Sequence, residues 1–336
     1  MKCLLYIGNR LSTHGFNVTT IETLGPLLKS EGFEVHYASS KRNQAVRLLD
    51  MLATTFRYSN KVDYVIIDTY SALNFWSSLM VSQICRAFNR KYIPILHGGN
   101  LPERLDRHPY LCKMIFNHAY KNVTPSHYLL ESFTKAGFSN LVYIPNSIEL
   151  KSYPFTDRPT VKPNLLWVRS LSRIYNCPMA LRVMTILQKK IPDAQLAMVG
   201  PDKENLLPEL TKEVENQKLN ITFKGKLEKA KWLELSKQYD IFLNTTHSDN
   251  MPVSLIEAMA IGIPIVSTNV GGIPFLLENQ ETALLVNDND AEAMSEAVER
   301  FLTDNELRQR IITNARQKAA EYNWDTVKSK WLDLLR

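Results

Sequence analysis

Glycine is scarce in this chain, 12 residues in 336, about half the ~7% share usual in globular proteins. Few positions are flexible by default, so the adjacent pairs Gly98-Gly99 and Gly271-Gly272 ask for local reasons. Cysteine is scarcer still. Cys3, Cys85, Cys112 and Cys177 include no pair at Cys-x-x-Cys spacing and no histidine cluster accompanies them, which excludes a disulfide framework and a zinc ribbon and leaves reduced, mostly buried thiols as the expectation. No apolar run approaches the ~20 residues of a membrane span. The stretch Cys3–Ile7 is too short for a secretory core, so the expected location is cytoplasmic, with any membrane contact peripheral at the inner face. Gly-x-Gly-x-x-Gly, a Walker loop and a Gly-x-Ser-x-Gly elbow are all missing, against a dinucleotide dehydrogenase, a P-loop enzyme and an α/β-hydrolase. No nucleic-acid motif or aromatic platform accompanies the basic residues, so nucleic acid is not an expected partner.

What is present reads as an ordinary globular chain, 45% hydrophobic and 22% charged, long enough for two domains of ~100–200 residues each. Its charge is uneven. Residues 1–150 hold 16 basic and 10 acidic side chains, whereas 151–336 hold 24 of each, so the whole excess of +6 lies in the first part. The densest piece carries Lys41, Arg42, Arg47, Arg57 and Lys61 against Asp50 alone, with Val46, Leu48, Leu49, Met51, Leu52 and Phe56 between them. Such a segment forms either a core helix with a solvated basic edge or a helix that meets anionic lipid or substrate.

Short apolar runs alternate with helical patterns. Cys3–Ile7, Glu34–Ala38, Asp63–Asp68 and Tyr92–Leu96 read as strands, with helices predicted over Thr19–Ser30 and Phe75–Phe88. Residues 145–163 break the alternation with Pro145, Pro154, Pro159 and Pro163 and read as a linker. Strands then resume at Leu165–Val168, Leu196–Val199, Ile221–Phe223, Asp240–Asn244, Pro264–Ser267 and Ala283–Val286, with helices between and after them. The pattern predicts two doubly wound α/β domains, whose ligands bind at the carboxyl ends of the strands.

The densest local signal runs from Asp249 to Gly272. Asn250 is placed to cap a helix, Pro252 suits its first turn, and Gly262 ends it. The helix N-terminus favours phosphate. Glu257 lies mid-helix among apolar residues, where an unpaired carboxylate is expensive; it either pairs with a neighbouring arginine or accepts hydroxyl hydrogen bonds from a ribose. Asp249, eight positions earlier, is either a turn residue or a second carboxylate bracketing the same molecule.

This segment resembles the signature of the family 4 glycosyltransferases: two acids with seven residues between them, Ala258-Met259-Ala260, Gly262, Pro264 and Gly271-Gly272. Ile144-Pro145-Asn146, Val199-Gly200, Phe223-Lys224-Gly225, His97-Gly98-Gly99 and Tyr322-Asn323-Trp324 match further family motifs in order along the chain. The resemblance implies the GT-B fold: two Rossmann-like domains facing a central cleft, with an acceptor-binding domain over 1–150, a linker over 151–163, a nucleotide-sugar domain over 164–320, and a final helix over 321–336 packing back on the first domain. It implies a retaining transferase, metal-independent and without a cofactor, moving sugar from a UDP- or GDP-linked donor to a glycan or lipid-linked saccharide, in cell-surface polysaccharide synthesis. Glu257 would hold the ribose, Asp249 the transferred sugar, and Asn250, Met251, Pro252 and Val253 the sugar and phosphate. Gly15 and Gly200 would permit close approach to the donor, and His97 would face the sugar. Asn9, Arg10, Lys41, Arg42 and Arg47 would lie on the acceptor or membrane side.

There are departures. The first acid is Asp249 rather than Glu. The family's diphosphate-binding Arg and Lys positions hold Ser170 and Tyr175; Arg169 and Arg173 are placed to supply that charge, or are surface arginines. These departures leave open a non-catalytic nucleotide-sugar-binding protein, and the fold alone would also admit a sugar-nucleotide epimerase. Asp288-Asn289-Asp290 has the form of a manganese-binding triplet but is read as a turn and helix cap, so no metal site is expected.

Overall fold

The computed structural model describes residues 2–336. Contacts divide the chain into two compact units, one running through Pro145 and including Leu334–Arg336, the other Asn146–Asp333. The stretch 151–163, read as a linker, lies within the second unit.

In the first unit the strands are β1 (Cys3–Ile7), β2 (Glu34–Ala38), β3 (Tyr64–Thr69), β4 (Lys91–Leu96), β5 (Asn122–Thr124) and β6 (Leu141–Tyr143). They form one parallel sheet in the order β2-β1-β3-β4-β5-β6. The helices between them are α1 (Thr20–Ser30), α2 (Gln44–Tyr58), α3 (Asn74–Ala87), α4 (Leu101–Arg107), α5 (Pro109–Phe116) and α6 (His127–Lys135). Right-handed crossovers place α2 and α3 on the same face of the sheet. Every residue of β3 is buried, as a central parallel strand covered on both faces requires. That strand includes one charged side chain, Asp68.

In the second unit β7 (Asn164–Val168), β8 (Gln195–Val199), β9 (Ile221–Gly225), β10 (Ile241–Asn244), β11 (Ile265–Thr268) and β12 (Leu284–Val286) form a second parallel sheet, ordered β12-β11-β10-β7-β8-β9. Its helices are α7 (Cys177–Lys190), α8 (Leu207–Gln217), α9 (Lys229–Ser236), α10 (Val253–Ile261), α11 (Ile273–Leu276), α12 (Ala291–Thr303), α13 (Asn305–Glu321) and, as far as Asp333, α14 (Trp324–Leu335). Strand order reverses direction at β7, between β10 and β8, and such a switch point opens a crevice at the carboxyl edge. Separate apolar clusters cover the two faces of this sheet, one against α7 and α12, the other against α10.

Residues 150–163 are packed rather than free. Tyr153 is buried, and Arg158 donates to the carbonyls of Ile261 (2.9 Å) and Gly262 (3.0 Å) at the end of α10. Gly262 takes φ 74°, and its missing side chain leaves room for the Phe155 ring. No helix among the described residues is long and apolar enough to cross a membrane. The four cysteines are free, three buried and Cys3 half-buried.

Candidate active site

The carboxyl ends of β7 and β10 and the start of α10 meet around Asp249 and Glu257. The loop after β10 is pressed against the turn after β11. A side chain at Gly272 would overlap the Asn250 carbonyl, and one at Gly271 the Asp249 carbonyl, while the Gly272 N–H donates to Asp249 O at 2.8 Å. This gives the glycine pair its reason. Asn146, last of the Ile-Pro-Asn triplet, donates from Nδ2 to Met251 O at 3.0 Å and fixes the same loop.

Helix α10 begins at Val253 with Pro252 at the N-cap position and no side-chain cap. Two expectations are thereby corrected. Asn250 does not cap the helix, because it stands three residues before the first turn, buried under the glycine pair, and Pro252 precedes the first turn instead of filling it. The consequence is chemical: the first N–H groups of α10 meet no capping side chain, the arrangement that accepts an anion. Met251 and Pro252 are buried and Val253 is exposed at this edge.

Glu257 is half-buried on α10, and Tyr153 donates its hydroxyl to Oε1 at 2.5 Å. Lys229, at the head of α9, lies 3.8 Å from the same oxygen and 4.2 Å from the centre of the Tyr153 ring. Burial pushes the Glu257 carboxyl above its ordinary value, against the Tyr153 hydrogen bond and the charges of Lys229 and Arg169, which pull it down. The pairing arginine weighed from sequence is not its partner; a tyrosine and a lysine from two other segments are.

Arg169 pairs with Asp249 and lies over the Tyr175 ring, 4.9 Å from its centre. Its Nε is buried with no partner among the described residues. Gly200 takes φ 151°, and a Cβ there would overlap the Arg169 carbonyl, so Gly200 acts by letting β8 pass the Arg169 main chain. Arg173 does not join this group. Its side chain is exposed and 3.9 Å from Glu204, because it falls in a one-turn helix, Arg173–Tyr175, beyond the buried Ser170 and Ser172.

In the first unit His97 follows β4, with Nε2 2.9 Å from Asp68 Oδ1 at the end of β3. Tyr6 donates to the same oxygen at 2.9 Å, and Tyr70 stacks on the imidazole. Asp68 Oδ2 is buried and has no hydrogen-bond partner among the described residues, and a Cβ on Gly8 would come within 2.6 Å of it. Gly8, Tyr6 and Asp68 thus hold His97. Asn9 Oδ1 is buried without a partner among the described residues, whereas Arg10 is exposed and lies over Tyr37 at 4.5 Å. Gly15 takes φ 87° with nothing within 4 Å of where a side chain would stand. Lys41 and Arg42 are exposed. Arg47 is turned inward and donates to the carbonyls of Lys41 (2.8 Å) and Arg42 (3.0 Å), so it braces the start of α2 and presents no charge to an acceptor or a membrane; it falls on the inner row with Met51 and Thr55.

Asp290 caps α12, accepting from the Ala293 N–H at 2.9 Å, and Asp288 engages His247 Nδ1 at 2.8 Å. Among the described residues one group has metal-type donors within 4.8 Å of one another, Cys3, Glu34 and His36. It lies at the amino ends of β1 and β2, the edge opposite the strand ends that carry Gly8 and His97.

The two parallel six-stranded sheets have the fold of the GT-B glycosyltransferases. Residues 154–318, which include the whole Asp249–Gly272 signature, match the family described as glycosyl transferases group 1. The sulfoquinovosyl transferase SQD2 of Arabidopsis thaliana is 31% identical over 159 residues, 45% of this chain and 29% of that protein. Among solved structures, the Anabaena protein Alr3699/HepE, crystallised in complex with UDP, superposes with a TM-score of 0.78 at 15% identity, over 100% of this chain and 99% of that one. The sucrose-phosphate synthase of Thermosynechococcus elongatus gives 0.80 at 18% identity, over 99% and 98%. The matched regions span only 22% to 48% of the curated relatives' own lengths.

Proposed function

We propose that this chain is a retaining, metal-independent glycosyltransferase. It moves a sugar from a UDP- or GDP-linked donor to a hydroxyl of a glycan or lipid-linked saccharide, in cell-surface polysaccharide synthesis, with peripheral contact at an anionic membrane. The observation that carries the reading is the Glu257 carboxylate, held by Tyr153 beside the uncapped start of α10. A carboxylate kept in place there is positioned to accept the two hydroxyls of a ribose, and the free N–H groups together with Arg169 are placed to receive the diphosphate. Arg169 takes over from the family's arginine at Ser170, and the Tyr175 ring supports it from below. Asp249 is placed to orient the transferred sugar by its hydroxyls. Catalysis of this kind is positioning plus electrostatic stabilisation of a leaving phosphate. The crystal of Alr3699/HepE with UDP-glucose supports a nucleotide-sugar donor.

The test is a thermal-shift screen with UDP, GDP, ADP and their sugar conjugates, with and without Mn²⁺. One nucleotide at ~100 times its Kd is expected to stabilise the chain by ~2.7 kcal/mol, unaffected by metal. The shift is expected to vanish in Glu257→Ala, to weaken at least tenfold in Kd (~1.4 kcal/mol) in Arg169→Ala, and to persist in Arg173→Ala. No shift with any nucleotide would sink the donor site. A shift without transfer to any saccharide would favour the non-catalytic binding protein.

A further inference from the structure

Helix α2 has an inner and an outer row. Its inner row, Arg47, Met51 and Thr55, is buried. Its outer row, Val46, Leu49, Ala53 and Phe56, recurs at the three- and four-residue spacing of a single helix face, and all four are exposed. Helix α3 packs alongside, with the Phe56 and Phe88 rings 5.3 Å apart at the shared end. It repeats the pattern with Leu73 at its head, then Trp76 and Met80. Leu49, Phe56 and Leu73 are about two-thirds exposed, and Val46, Trp76 and Met80 between 41% and 49%. Six of the fourteen large apolar side chains left exposed among the described residues are therefore on two neighbouring helices or, for Leu73, at the N-cap of one.

A group of exposed apolar side chains edged with polar groups marks an interaction site. Here the edge is basic. Lys41 and Arg42 precede α2, Arg57 and Lys61 end it, Arg86 lies on α3, and all five are exposed. Asp50 is the one acidic residue on either helix. Two copies of so basic a face would repel across a two-fold axis, which weighs against a self-partner. Outward aliphatic and aromatic residues, a half-exposed tryptophan and a rim of lysine and arginine match the interfacial zone of a bilayer with negative headgroups.

We infer that the outer face of α2 and α3 docks on an anionic lipid surface, with Leu49, Phe56 and Trp76 entering the headgroup layer and Arg42 and Arg57 on the lipid charges. This deepens the membrane contact proposed above, but it is read by vesicle binding, which nucleotide binding does not report.

The intact chain is sedimented with phosphatidylcholine vesicles, alone or mixed with phosphatidylglycerol. Binding is expected only with the mixture. It should fall with added salt, weaken roughly fivefold for each arginine replaced in Arg42→Gln and Arg57→Gln, and disappear in Leu49→Ser/Phe56→Ser/Trp76→Ser. The other four tryptophans are buried, so quenching of fluorescence by brominated lipid should be lost in Trp76→Phe, a variant that keeps the face apolar. Unchanged circular dichroism and nucleotide shift establish that the variants fold. The inference fails if anionic vesicles leave the chain in the supernatant, if the triple variant still sediments with them, or if the wild-type chain is a dimer that the triple variant dissolves.

Discussion

Tyr153 and Glu257 are 104 positions apart, and one hydrogen bond joins them. Removing the hydroxyl leaves a buried oxygen without its donor, so Tyr153→Phe is expected to lose about 1–3 kcal/mol of stability. The same pair fixes a pH dependence. Because burial raises the Glu257 carboxyl above its ordinary value, the folded chain binds that proton more tightly than the unfolded one does. Its contribution to stability is therefore greatest at low pH and declines as pH rises past about 4.3. Chemical denaturation across pH should show Glu257→Gln gaining on the wild type as pH rises, and Tyr153→Phe carrying the decline to higher pH, since a downward pull is gone. A wild type and a Glu257→Gln variant with parallel pH curves would contradict this. From sequence the position of Glu257 was legible, because its spacing from Asp249 is local. Its partners were not, since Tyr153 and Lys229 arrive through tertiary packing. Arg169 and Arg173 looked equivalent four residues apart, and only the turn between them separates one that pairs with Asp249 from one at the surface. Asp68 was hidden as the last letters of an apolar strand.

At the scale of elements, the strand–loop–helix–strand unit from β10 to β11 is held shut by main chain against main chain. Gly272→Ala, at an ordinary φ, should cost about 1–3 kcal/mol through overlap with the Asn250 carbonyl alone, and it should weaken nucleotide binding by displacing the Asp249 loop. Thermal melting and nucleotide titration of this variant check both; if it melts and binds like the wild type, the loop is looser than described. The parallel alternation was plain in the sequence because central strands are continuous apolar runs. The short helices around residues 101–116 were not, since each is about two turns long with a proline in its first two residues, too little for a periodic signal. Helix α2 was legible as basic and apolar, but a linear pattern does not say which row faces the sheet; the answer is that Arg47, Met51 and Thr55 turn inward and the apolar row of Val46, Leu49 and Phe56 is left outside.

Across the whole molecule, each unit carries its own apolar core, and the residues proposed to hold the donor, Tyr153, Arg169, Lys229, Asp249 and Glu257, all belong to one unit. Scanning calorimetry should resolve two transitions. A saturating nucleotide should raise only the one for Asn146–Asp333, by roughly 5–10 °C at ~100 times Kd. A single transition, or equal shifts in both, would contradict independent cores.

The packed stretch after Asn146 also decides where this protein can be cut and joined. A proline-rich segment invites a recombination boundary at its far end, after Pro163. A chimera built there would inherit Glu257 from one parent and the tyrosine that holds it from the other, with the Arg158 clasp on α10 and the Phe155 ring against Gly262 exchanged as well. The seam that keeps the proposed donor half whole lies before Asn146, so the heritable module is larger than its strands and helices suggest, and swaps of the proposed donor site between relatives should succeed or fail according to which side of that stretch the crossover falls.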